Sequence, residues 1–115
     1  MDEKRTLKRR HLLFYLKIYD LDSNTFIGNV GDLTIDGLMV LTDKPIPLKK
    51  EMKIQIELPK SDEFKESRLN LRVKTLWRKP DINPDIISIG CQILEIIPEN
   101  TLLINHLIRV LGFND

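Results

Sequence analysis

The residues best equipped for chemistry lie in two short segments: Arg5-Thr6-Leu7-Lys8-Arg9, continued by Arg10, and Asp32-Leu33-Thr34-Ile35-Asp36-Gly37. A guanidinium is a rigid planar fork that gives two parallel hydrogen bonds to the O6/N7 edge of guanine or to a phosphate. Two forks on one short segment therefore suit a ligand with guanines and phosphates. On an extended segment, Asp32 and Thr34 are two positions apart and share a face, where a carboxylate and a hydroxyl can take the guanine N1/N2 donors or a phosphate oxygen. The second segment supplies the acceptors that arginines lack. Taken singly, each has an ordinary structural reading: a basic run near a chain end is a solvated tail, and Asp-x-Thr-x-Asp-Gly is a turn.

No constellation for catalysis accompanies them. The only histidines, His11 and His106, lie at opposite ends of the chain, and there is no HxxxH, CxxC or HExxH spacing for a metal. The glycine loops GxxxxGK[ST] and GxGxxG are absent too. Asp20, Asp22, Asp32 and Asp36 fall at turns, where aspartates bond to nearby backbone. Cys91, the single cysteine, sits in an Ile/Cys/Ile pattern that predicts a buried thiol without a disulfide partner in the chain. The expectation is a binding protein and not an enzyme, with no metal and no cofactor.

With 115 residues, 42% of them hydrophobic, the chain fits one domain with a substantial core. Its 18 basic and 17 acidic residues leave a formal charge of +1, far from the field of a protein that lives on DNA or RNA, so no nucleic acid polymer is expected as partner. Positive charge is instead local: Lys4, Arg5, Lys8, Arg9, Arg10 and Lys17 face only Asp2 and Glu3 within the first 17 positions. No apolar run approaches the ~18 residues of a membrane span, so membrane insertion is not expected and the predicted location is the cytoplasm.

The elements that must position these residues follow from hydrophobic period. Residues 1–11 are polar and aperiodic, an arm that carries the arginines; the domain proper is expected over 12–115. Leu12, Phe14, Leu16 and Ile18 alternate with Leu13, Tyr15, Lys17 and Tyr19 as in a strand. A turn at Asp22-Ser23-Asn24 leads to a second strand, Phe26 to Leu33, eased by Gly28 and Gly31, and a third from Gly37 to Leu41. Met52, Ile54, Ile56 and Leu58 give a half-buried fourth strand. In the fifth, Leu69, Leu71, Val73, Thr75 and Trp77 line one face and Arg68, Asn70, Arg72, Lys74 and Arg78 the other. After a Pro80–Pro84 loop, Ile87, Ile89, Cys91 and Ile93 mark a sixth. Six short-linked strands in one small domain imply a closed antiparallel barrel. Beyond Pro98 the period becomes helical, with rows Leu103/Leu107/Leu111 and Ile104/Ile108, predicting an amphipathic helix over about 99–111 that covers an open end of the barrel.

Arg5-xxx-Arg9 followed by Asp32-x-Thr34-xx-Gly37 resembles the RxxxR and [DN]xSxxG pair of PilZ domains, and the later Leu58-Pro59, Val73-x-x-x-Trp77 and Gly90-Cys91-Gln92-Ile93 segments keep that family's order. Thr34 replaces the usual serine, keeping the hydroxyl and adding a methyl. The resemblance implies a mainly β fold, a six-stranded antiparallel PilZ-type barrel with a C-terminal helix, and a bacterial receptor for cyclic di-GMP. It assigns the ligand to Arg5, Arg9, Arg10, Asp32, Thr34 and Gly37. Trp77 has two readings, packing beneath the helix, which is preferred, or offering its ring to a guanine. Binding would order the arm and alter a surface read by a downstream protein, the receptor being a monomer or homodimer. The alternative is a PilZ-like protein–protein interaction module with weak or no nucleotide binding.

Overall fold

The structure is a computed structural model that describes residues 16–60 and 62–111. Six strands, β1 (Lys17–Asp20), β2 (Thr25–Leu33), β3 (Gly37–Thr42), β4 (Glu51–Glu57), β5 (Arg68–Pro80) and β6 (Ile87–Leu94), precede one helix, α1 (Pro98–Leu111). The strands close a barrel in the order β1-β2-β3-β6-β5-β4, with every neighbouring pair antiparallel. Closure pairs β1 with β4, so the open edges that invite association are removed. The strands read from hydrophobic period are all present. Leu12–Tyr15, expected to begin the first strand, and the boundary between arm and domain lie outside the described residues.

Period two builds the core. In β4, Met52, Ile54 and Ile56 are buried while Glu51, Lys53 and Glu57 are exposed. Ile18, Val30, Val40, Leu71, Val73, Ile89 and Ile93 fill the same interior from the other strands. Each buried aliphatic contributes about 1.5–3 kcal/mol over an exposed one, and these side chains dominate the stability of so small a domain.

Each mouth of the barrel is covered differently. Since β3 and β4 are not neighbours, residues 43–50 must cross one mouth, and they carry Ile46 into the core. Buried Thr75 fastens this crossing: its hydroxyl donates to the Pro47 carbonyl (2.7 Å) and accepts from the Lys50 amide (3.0 Å), leaving neither group orphaned. At the other mouth lies α1. Pro98 suits the first helical position because its missing N–H would have no partner there, while Glu99 in the first turn and Arg109 in the last complement the helix dipole. Ile104, Leu107, Ile108 and Leu111 point into the barrel. Asn100 Nδ2 donates to the Asn70 carbonyl of β5 (3.2 Å).

His106 is partly buried and joins α1 to the β4–β5 connection. Its Nε2 lies 2.6 Å from the Glu63 carbonyl, Arg109 lies 2.9 Å from its Nδ1, and the Phe64 ring meets it edge-on. Because Leu107 is fully buried, Leu107→Ala should lower the unfolding free energy by roughly 2–5 kcal/mol in a urea titration. Leu102→Ala, on the exposed face of the same helix, should cost under about 0.5 kcal/mol.

Candidate functional site

Strict alternation along β2 would give Asp32 the same face as Val30, which is completely buried. The register shows why it does not take that face: Val30 pairs with Val40 and Asp32 with Met39, so Gly31 is one extra residue, a β-bulge. The bulge reverses parity. Asp32 turns outward while Leu33 turns into the core. One carboxylate oxygen of Asp32 accepts the Leu33 amide (2.9 Å), which orients the group at the rim of the barrel.

Thr34 starts the turn between β2 and β3, on the same outer side. Its amide donates to the Gly37 carbonyl (2.9 Å), and its hydroxyl oxygen accepts from the amides of Asp36 (3.3 Å) and Gly37 (3.1 Å). With the oxygen occupied from within the turn, the hydroxyl proton is the group turned to solvent, a donor beside the Asp32 acceptor. The turn is fixed to β6 by the Ile93 amide, which donates to the Asp36 carbonyl (2.9 Å). Gly37 is needed for space and not for a positive φ: a Cβ there would come within 3.1 Å of the Cys91 carbonyl oxygen across the β3–β6 ladder. The close approach is to the neighbouring strand.

A second bulge decides Trp77. Thr75 pairs with Cys91 and Trp77 with Gly90, so Leu76 is the extra residue in β5. The expectation that Trp77 continues the buried row of Val73 and Thr75 and packs beneath the helix is therefore corrected: it stands on the outer face, 42% exposed. Its ring leans over β6 and occupies the space above Gly90, where a Cβ would fall 2.1 Å from a ring carbon. Lys79 Nζ lies 5.3 Å from the ring centroid.

Asp32, Met39, Gly90 and Trp77 form one transverse row over β2, β3, β6 and β5. With the ring above β6, it stands two interstrand spacings, about 10 Å, from β2. Half-exposed Met39 lies between. The outer face thus offers a carboxylate, a hydroxyl, an apolar floor and an aromatic ring in sequence. Arg72, from the neighbouring part of β5, is engaged elsewhere, paired with Glu51 (2.5 Å) and Glu95 (2.7 Å), whose hydrogen bonds and charge raise its pKa further. Arg5, Arg9 and Arg10 lie outside the described residues.

Cys91 is buried, and desolvation pushes its thiol up to about 12, as befits a core side chain and not a nucleophile. Among the described residues no group of three or more His, Cys, Asp and Glu could hold a metal ion. No described helix is long and apolar enough to cross a membrane.

Comparison with known proteins places this geometry in context. A family model described as PilZ domain matches residues 3–111. Among solved structures, the chain resembles the Bacillus subtilis inhibitor of motility (MotI/DgrA), with a TM-score of 0.66 and 12% identity over 83% of this chain. It spans 46% of that protein, just under half its length. It also resembles the PilZ domain of YcgR from Escherichia coli, solved with c-di-GMP, with a TM-score of 0.60 and 13% identity over 86% of this chain and 83% of that one. No curated protein sequence matches significantly.

Trp77 is the only tryptophan, so its fluorescence reports on this face alone. Gly90→Ala should lift the ring off β6 and shift its emission to longer wavelength as water reaches it. Thr34→Ala should cost about 1 kcal/mol in a denaturant titration, through the two turn bonds its oxygen accepts. Thr34→Ser, which keeps that oxygen, should cost much less.

Proposed function

The chain belongs to the PilZ domain family, and on that premise we propose that it is a receptor and adaptor module for the bacterial second messenger cyclic di-GMP. The observation that carries this reading is the outer-face row in which two independent bulges turn an acid and an aromatic ring to the same side of the barrel. Guanine presents donors at N1 and N2 that a carboxylate can accept, a flat face that an indole can cover, and an O6/N7 edge that an arginine fork can grip. Asp32, Trp77 and the arginines match these three demands.

In this reading, Arg5 and Arg9 clamp guanine edges and phosphates, with Arg10 on phosphate. Asp32 takes base donors, and the Thr34 hydroxyl proton is given to a phosphate or ribose oxygen. Gly37 keeps the turn close against β6, so that the backbone of the Thr34–Gly37 segment stays in reach of the ligand. The Trp77 ring covers one base, and the Lys79 ammonium beside it contributes positive potential near the phosphates. Arginine contacts to a dianionic ligand are charge-assisted and lose strength with salt.

Ligand binding draws the arginine-bearing arm, residues 1–11, onto the barrel and so changes the shape and charge of one surface, which a downstream protein reads. Ordering that arm consumes part of the binding free energy, so the affinity is moderate.

Isothermal titration with cyclic di-GMP should give saturable binding, and GTP and cyclic di-AMP should give none. Arg9→Ala and Asp32→Ala should each weaken binding by roughly 10- to 100-fold, the value of a hydrogen bond to a charged group, and Trp77 emission should change on titration. Absence of any heat or NMR shift change at millimolar ligand would refute the receptor reading and leave the barrel as a protein-interaction module.

A further inference from the structure

Trp77 and Lys79 stand two positions apart on β5, beyond the Leu76 bulge, and so share the outer face. The register sets Trp77 opposite Gly90 and Lys79 opposite Ser88. A Cβ at Gly90 would fall 2.1 Å from Cε2 of the indole and 2.4 Å from each of its neighbours, Nε1 and Cζ2. A point nearest the middle one of three consecutive ring atoms lies above the ring plane, because beside the edge it would approach the outer two more closely. The indole therefore rests face-down on β6, with one π-face sealed by backbone. The Lys79 ammonium stands over the ring, 5.3 Å from its centroid, and the sealed side leaves it only the outward face. A stacked aromatic group sets its centroid ~4.5–7 Å from that of its partner, so the ammonium already holds the place that a base would take.

We propose that Lys79 is a displaceable cover on Trp77 that couples base stacking to phosphate capture, an inference that rests on the reading of this face as a nucleotide site. An incoming base takes the ring, and the displaced ammonium, on its flexible four-carbon stem, donates to a phosphate oxygen of the same ligand. The exchange runs toward the base, since stacking a base on an aromatic side chain is stronger than a cation–π contact at a solvent-exposed position. Among the described residues no carboxylate forms an ion pair with Lys79, so its charge is available to the ligand. Arg72 on the same strand has no such freedom, being held between Glu51 and Glu95.

Selectivity follows from the exchange. A neutral nucleoside must remove the ammonium from the ring and offers it no new partner. A ligand that carries phosphate replaces the lost cation–π contact with a charge-assisted hydrogen bond, which is the stronger of the two. Lys79 is thus a specificity-determining residue: it disfavours guanine and guanosine and favours anionic guanine nucleotides. Asp32 at the other end of the row reads the base itself, whereas Lys79 reads whether that base carries phosphate.

The test uses the intact 115-residue chain with cyclic di-GMP and guanosine as ligands. In the free protein the Lys79 ε-methylene protons, identified by their loss in Lys79→Ala, should be shifted upfield in NMR by the indole ring current, and saturating cyclic di-GMP should abolish the shift. Lys79→Ala should weaken cyclic di-GMP binding by roughly 10-fold and flatten its salt dependence, yet strengthen guanosine binding, because the ring is uncovered. Lys79→Arg should restore the nucleotide affinity. Lys79 protons with no upfield shift, or a shift that survives saturation, would overturn the proposal, as would guanosine weakened in Lys79→Ala by the same factor as the nucleotide. A wild-type chain that binds no cyclic di-GMP overturns the receptor reading and this inference together; a wild-type chain that binds it, with Lys79→Ala unchanged in affinity and salt dependence, overturns this inference alone.

Discussion

Parity governs this barrel. A strand places successive side chains on opposite faces, so in a closed barrel every residue is committed to core or solvent by counting from its neighbours. The interior obeys that rule almost throughout, from Met52, Ile54 and Ile56 in β4 to Ile89, Cys91 and Ile93 in β6. The candidate site exists because two residues break it. Gly31 in β2 and Leu76 in β5 each add one to the count, and each turns outward a side chain, Asp32 or Trp77, that uninterrupted counting would have sent inward. An ionised carboxylate in that interior would be expensive, so the first bulge is as much a requirement of the fold as of the site.

The two bulges act on one surface because the register aligns them. Asp32, Met39, Gly90 and Trp77 are cross-strand neighbours in a single row, and Gly90 supplies the space that the tryptophan ring fills. Small residues here perform geometric tasks. Gly90 lets a ring lie against the sheet, and Gly37 lets β3 approach the Cys91 carbonyl. The turn that carries Thr34 is held from inside by its own hydroxyl oxygen and from outside by Ile93. A rim so constrained presents its donor and acceptor with little entropy left to lose when a ligand arrives.

The ends of the barrel divide the work. The 43–50 crossing closes one mouth through Thr75 and Ile46. The other mouth gathers the Thr34 turn, the C-terminal part of β6 and the helix that follows it. The bond from Ile93 to the Asp36 carbonyl therefore connects the rim to the strand that leads into α1.

The strands, the helix and the closed topology were legible in the amino-acid order because burial imposes a period, two in a strand and 3.6 in a helix, that survives as a pattern of apolar residues. That Asp32-x-Thr34-x-Asp36-Gly37 makes a turn between strands was legible as well, since it rests on residue type and spacing alone. The placement of Trp77 was not, and counting alternate positions from Val73 assigned it to the wrong face. Nothing local to Leu76 marks it as the extra residue; it became one only because Thr75 had to meet Cys91 while Trp77 had to meet Gly90 across the ladder. Gly31 did carry a hint, as glycines within strands often sit at bulges, but its consequence for Asp32 depended on the register with β3. Chemistry and periodicity are properties of a linear order, whereas the face a side chain takes after a bulge is decided by the partner strand, and only the tertiary structure contains that partner.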